Sequence, residues 1–185
     1  MIPNRKAVVE MTIGLLVIAG TIQAATFINT CPFVITSPGD YLLSTDLICG
    51  GGDGITINTG NVRLALEGHT ITAGVGANRA IAVNVGNPPP GRSNIQILGP
   101  GLITNGGANT FSAGVFLDFA ENSEVSGTTV LRSDTGILTG DCTNLTITAN
   151  TLGQNNAGIS LADTGATVSK NDVSGNCPSR KLRSA

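Results

Sequence analysis

The sequence predicts an all-β solenoid, and two observations carry that expectation. The first is a duplicated unit across residues 135–176, TGILTGDCTNLTITANTLGQNN followed by AGISLADTGATVSKNDVSGN. Gly136 and Gly158 are 22 residues apart, and Ile147 and Val168 are 21 apart. A unit this short cannot bury a core of its own and must stack on its neighbours. The second is composition. Among 185 residues there are 25 glycines, no tryptophan and only 12% charged residues, while Thr, Ile, Val and Asn recur throughout. Such a chain favours short strands joined by tight turns, and it is too apolar to be disordered.

Each element of the repeat can be justified in turn. A small residue followed by an apolar-x-apolar triplet opens a coil: Gly54-Ile55-Thr56-Ile57, Ala80-Ile81-Ala82-Val83, Gly114-Val115-Phe116-Leu117, Gly136-Ile137-Leu138-Thr139 and Gly158-Ile159-Ser160-Leu161. Strand side chains alternate faces, so the outer two residues of each triplet point inward and the middle one outward. An apolar anchor and its partner five positions later supply the rest of the coil. The pairs are Leu66/Ile71, Ile97/Leu102, Val125/Val130, Ile147/Leu152 and Val168/Val173. About five coils result, with Thr139, Ser123 and Ala166 as the weakest matches to the apolar pattern. The corner in the five-residue gap carries His69, Pro100, Thr128, Asn150 and Asn171. Asn150 and Asn171 are expected to stack as an Asn ladder, because Asn tolerates left-handed backbone and bonds neighbouring main chain.

The flanks read differently. Arg5 and Lys6 precede the apolar run MTIGLLVIAGTI, and Ala24-Ala25 follows it. The run is shorter than a bilayer-spanning helix needs, so residues 1–25 are expected to be a secretory signal peptide, with no membrane span after its removal. The mature chain would be secreted, extracellular or periplasmic. Residues 26–52 are assigned as an N-terminal cap over the first coil. Export permits disulfides, and Cys31 and Cys49 are the expected pair. Cys142 and Cys177 fall at different phases of the repeat and are expected to be free thiols. Residues 53–176 form the solenoid and 177–185 a C-terminal tail. With no amphipathic helix visible after Asn176, the expectation is a shortened version of a longer solenoid, or an uncapped C-terminal end that meets another chain.

Together these residues resemble the right-handed parallel β-helix repeats of the pectate-lyase-like superfamily. The resemblance rests on Asn61-Val62-Arg63-Leu64-Ala65-Leu66-Glu67-Gly68-His69-Thr70-Ile71 and on the lead-in Ser37-Pro38-Gly39-Asp40-Tyr41 through Cys49 and Gly52-Asp53-Gly54-Ile55. It covers about residues 31–176 and implies an all-β, single-stranded right-handed parallel β-helix of about five coils. It also implies that the connections flanking the first strand of each coil build any cleft. That superfamily spans lyases, hydrolases, epimerases and proteins without catalysis, so the resemblance leaves activity open.

Candidate chemistry is sparse. A net charge of −2 gives no reason to expect nucleic acid as a partner. His69, the only histidine, and the cysteine spacing do not suggest a metal site. The connections at residues 73–79, 84–93 and 105–112 are longer than the repeat requires and are where a site would be built. The outward row of the first strand is Thr56, Ala82, Phe116, Leu138 and Ser160, in which Phe116 is a candidate sugar-stacking residue. Asp118, Asp141 and Asp163 follow first strands and could form a carboxylate row able to hold Ca; no other cofactor is expected. Arg79 and Asp134 precede first strands on the other rim. The leading expectation is a carbohydrate-binding or surface-interaction module without catalysis, with a polysaccharide or cell-surface glycan as partner. The alternative is a polysaccharide lyase or glycoside hydrolase acting in a groove along the first strands, with Arg79, Asp118, Asp134 and Asp141 as catalytic candidates.

Overall fold

Like residues stack above like, and that rule builds the molecule. The computed structural model describes residues 24–83, 92–162 and 164–176. Within them three long parallel sheets wrap around one apolar core, with a small two-stranded parallel sheet of Arg92–Ser93 and Ala120–Glu121 beside them. The first sheet contains Phe33–Ile35, Ile55–Ile57, Arg79–Val83, Ala113–Asp118, Thr135–Gly140 and Ala157–Ala162. The second contains Thr26–Ile28, Gly39–Leu43, Val62–Ala65, Ile95–Leu98, Glu124–Ser126, Leu145–Thr148 and Ala166–Ser169. The third contains Leu47–Cys49, Thr70–Ala73, Leu102–Thr104, Thr129–Leu131 and Thr151–Gly153. Each coil but the last, which has strands in the first two sheets only, visits the three sheets in that order, which is a parallel β-helix.

The inward ladders follow the triplets. Ile55, Ile81, Val115 and Ile137 are in register and fully buried. Gly54 and Gly136 show why each triplet opens on a small residue. A Cβ at Gly54 would lie 2.7 Å from the Ala80 carbonyl oxygen, and one at Gly136 2.5 Å from that of Gly158. The second sheet carries the ladder Tyr41, Leu64, Ile97, Val125, Ile147 and Val168. Here the expected phase needs correction. Ile97 pairs with Leu64 rather than Leu66, and Ile71 pairs with Ile103 rather than Leu102. The corner between the second and third sheets is longer in the earlier coils. It absorbs extra residues through left-handed backbone at Glu67 (φ 48°) and Gly68 (φ 82°).

In the later coils that corner is the expected ladder. Asn150 Oδ1 accepts from Thr128 N at 3.0 Å and from Thr128 Oγ1 at 2.8 Å, and its Nδ2 donates to Val125 O at 3.0 Å. Asn171 repeats the role one coil on, accepting from Asn150 N and Nδ2. A second ladder, not anticipated, lies between the third and first sheets: Ser133 N donates to Asn155 Oδ1, and Asn155 N to Asn176 Oδ1, both at 2.9 Å. The weak positions are absorbed. Buried Ser123 accepts from Ile95 N and donates to Glu121 O, while Thr139 meets the Thr164 hydroxyl.

Residues 33–49 add strands to all three sheets, so the segment assigned as a cap continues the stack for one further turn. The Cys31–Cys49 disulfide ties it together, with Cα atoms 5.2 Å apart. Thr26–Ile28 then covers the second sheet's first edge, and Ile28, Ile35 and Leu43 are buried. At the other end, inward-phase Leu161, Val168 and Val173 are 45%, 43% and 48% exposed. The signal-peptide run, Asp163, Cys177, the tail and residues 84–91 of one predicted long connection lie outside the described residues. Cys142 is a buried free thiol, as expected.

Candidate functional site

The outer face of the first sheet holds most of the residues singled out from sequence. Val34, Thr56, Ala82, Phe116, Leu138 and Ser160 align across the coils, so the expected outward row is in register and begins one coil earlier. Arg79 opens its strand and lies with its guanidinium carbon 4.0 Å from the centroid of the Phe116 ring. The same guanidinium sits 3.5 Å from Asp53 Oδ2, and both side chains are largely withdrawn from solvent. One face of the Phe116 ring is therefore already occupied by a cation.

Asp118 closes the strand that Phe116 belongs to, and its carboxylate lies over Gly140 of the next coil: a Cβ there would be 3.0 Å from Asp118 Oδ1. Burial, and then the charge of nearby Asp141, push the Asp118 carboxyl above the usual range, with Arg79 and the Phe119 amide opposing them. Asp118 and Asp141 are thus neighbours at this end of the first sheet, and the Arg79 side chain reaches towards them over Phe116 from the opposite rim. The carboxylate row is not strictly aligned, however. Asp118 pairs with Gly140, which places Asp141 one residue further along its coil. Beneath them Cys142 donates to Gly140 O at 3.2 Å, and burial pushes its thiol up.

Asp134 is elsewhere. It stands before its strand, on the rim opposite Asp118, and accepts from Asn156 Nδ2 at 3.0 Å. That rim is a chain of turn contacts: Asn78 Nδ2 donates to Asp53 Oδ1, and Ser112 Oγ to Asn78 Oδ1. His69 is a corner residue, as read. Its Nδ1 lies 3.3 Å from Asp46, whose carboxyl is held below its ordinary range by the Thr70 amide first and then by His69. No cluster of three or more metal-ligating side chains occurs among the described residues.

A concavity was missed by sequence reasoning. It lies on the outer face of the second sheet, has a volume of about 440 Å³, and is lined by Asp40, Asn61, Arg63, Asn94, Gln96 and Asn122, with Gly39 and Val62 in its floor. Asp40, Arg63, Gln96 and Glu124 are successive outward residues of neighbouring strands, held in one row by the register. Asn61, Asn94, Asn122 and Asn144 form a parallel row at the preceding corner, where all four adopt left-handed backbone with φ between 48° and 57°. The signal was present in the sequence as an Asn one or two residues before the second strand of four successive coils: Asn61-Val62, Asn94-Ile95, Asn122-Ser123 and Asn144-Leu145.

A family model described as right handed beta helix region matches residues 35–181. The chain belongs to that family. The solenoid expected from the repeat phase, and the right-handed parallel β-helix that the resemblance implied, are thereby shown, while the match names neither a ligand nor a reaction. No curated protein and no solved structure matches the chain.

Proposed function

We propose that the protein is a β-helix module that binds polysaccharide or cell-surface glycan outside the cell, without catalysing a reaction. The observation that carries this reading is the polar concavity on the second sheet, set on a rigid stack and lined by hydrogen-bonding side chains open to solvent. Two of the residues nominated for catalysis point the same way. Arg79 is engaged by Asp53 and Phe116, and Asp134 by Asn156. The Cys31–Cys49 bridge fits an oxidising compartment, and no helix among the described residues is long and apolar enough to cross a membrane. The test is a panel of neutral and acidic polysaccharides assayed for both retention of the protein and release of products. Retention without products is expected. Product formation on any member would contradict the reading.

A second reading is favoured by Asp118 and Asp141. Two carboxyl groups near an arginine and an aromatic ring are the ingredients of glycoside hydrolysis, and a carboxyl with a raised pKa is suited to act as the acid. This reading predicts turnover that is abolished by both Asp118→Asn and Asp141→Asn.

A further inference from the structure

We infer that the concavity on the second sheet is the glycan subsite, and that it takes a neutral, hydroxyl-rich chain lying along the stack axis. The inference deepens the glycan-binding reading and rests on it. Direction comes from the register. The Asp40–Arg63–Gln96–Glu124 row and the Asn61–Asn94–Asn122 row run side by side from coil to coil, so the groove between them points along the axis. Three coil spacings of about 4.8 Å give a floor roughly 14 Å long, enough for a short oligosaccharide.

The free hydrogen-bonding groups come from a break in the Asn row. Asn94 Nδ2 donates to Asn61 Oδ1 at 2.9 Å, and Asn144 Nδ2 to Asn122 Oδ1 at 2.7 Å. No bond joins Asn94 to Asn122. One wall of the groove therefore presents the Asn94 Oδ1 acceptor next to the Asn122 Nδ2 donor. Opposite them Gln96 offers a further donor and acceptor. Arg63 offers a planar fork of donors, and among the described residues its guanidinium has no carboxylate within salt-bridge distance. Such paired donors and acceptors match adjacent hydroxyls on a sugar.

The class of chain follows from charge and from ring content. The six polar lining residues include one acid and one base, and Glu124 continues the row as a second acid. A polyanion laid along the axis would meet Asp40 and then Glu124. Among the described residues no aromatic side chain lines the groove, so the ligand is held by its hydroxyl edges rather than by stacking of its ring faces.

The experiment is calorimetric titration of the full chain with a soluble neutral glucan, a galactomannan and a polyuronate, repeated with Arg63→Ala and Gln96→Ala. Both positions point outward, and circular dichroism melts confirm that each variant is folded. The expected result is binding of at least one neutral polymer, weakened tenfold or more by each substitution, with the polyuronate bound more weakly. Neutral-polymer binding that both variants retain would overturn the groove assignment while leaving the glycan-binding reading intact. So would a preference for the polyuronate. Absence of binding to any of the three would overturn the glycan-binding reading itself.

Discussion

The outer faces of the first and second sheets are built from the same coils, yet they use their polar residues differently. On the first, Arg79 is stacked on Phe116 and paired with Asp53, Asn78 is tied to Asp53 and Ser112, and Asp134 holds Asn156. On the second, Asp40, Arg63 and Gln96 stand in register with no hydrogen bond or ion pair between their side chains, and the Asn row beside them is interrupted. Polar groups that satisfy each other hold a turn or a corner. Those that remain open in a concavity are available to something else. The contrast separates scaffold from site better than residue type does, since arginine, aspartate and asparagine occur on both faces.

The contrast can be broken by measuring stability. The largest effect is expected in the interior ladder, which is scaffold by the same criterion. Asn150→Ala strands the Thr128 amide and hydroxyl and the Val125 carbonyl, and should cost about 2–4 kcal/mol in chemical denaturation. Arg79→Ala should cost about 1–2 kcal/mol, because it removes the guanidinium from Phe116 and leaves Asp53 with an unpaired oxygen in a half-buried site.

Asp118 gives a smaller effect with a definite sign. A carboxyl whose folded pKa is raised binds its proton more tightly in the folded state, so stability falls as pH rises above the ordinary value of 3.8. Asp118→Asn should therefore raise the melting temperature at neutral pH, and the gain should shrink as the pH is lowered towards that value. Melting curves of both proteins across the acid range check this, and a gain independent of pH would contradict it. Smallest of all, Arg63→Ala and Gln96→Ala should change stability by no more than about 0.5 kcal/mol, as expected for surface positions without partners. A loss comparable to that of Arg79→Ala would place these residues with the scaffold.

The fold was legible because its rule is periodic. The five triplets, the Asn150–Asn171 corner and the Cys31–Cys49 bridge could each be read from spacing and side-chain chemistry. The rule failed where the period did. Glu67 and Gly68 lengthen the corner between Leu64 and Ile71, the corner between Ile97 and Ile103 is also longer than the repeat, and a fixed five-residue gap therefore leaves Leu66 and Leu102 out of phase. The candidate site was less legible for another reason. Acids and arginines near long connections are the conspicuous candidates in the sequence, and the side chains of three of them do meet around Phe116 and Gly140. The groove is instead made of ordinary outward residues, such as Arg63 and Gln96, whose meaning depends on which neighbours they lack. A missing bond between Asn94 and Asn122 leaves no mark on the sequence. The recurrence of Asn before the second strand does, and it would have identified the corner without identifying the break.

The most direct measurement is nuclear magnetic resonance of the labelled chain titrated with a neutral oligosaccharide, following side-chain amide and backbone signals together. The account predicts that the Asn94, Gln96 and Asn122 side-chain amides and the Arg63 guanidinium shift as one saturable group, with Phe116 and Leu138 of the first sheet unmoved. Shifts concentrated at Phe116, Asp118 and Asp141 instead would contradict it.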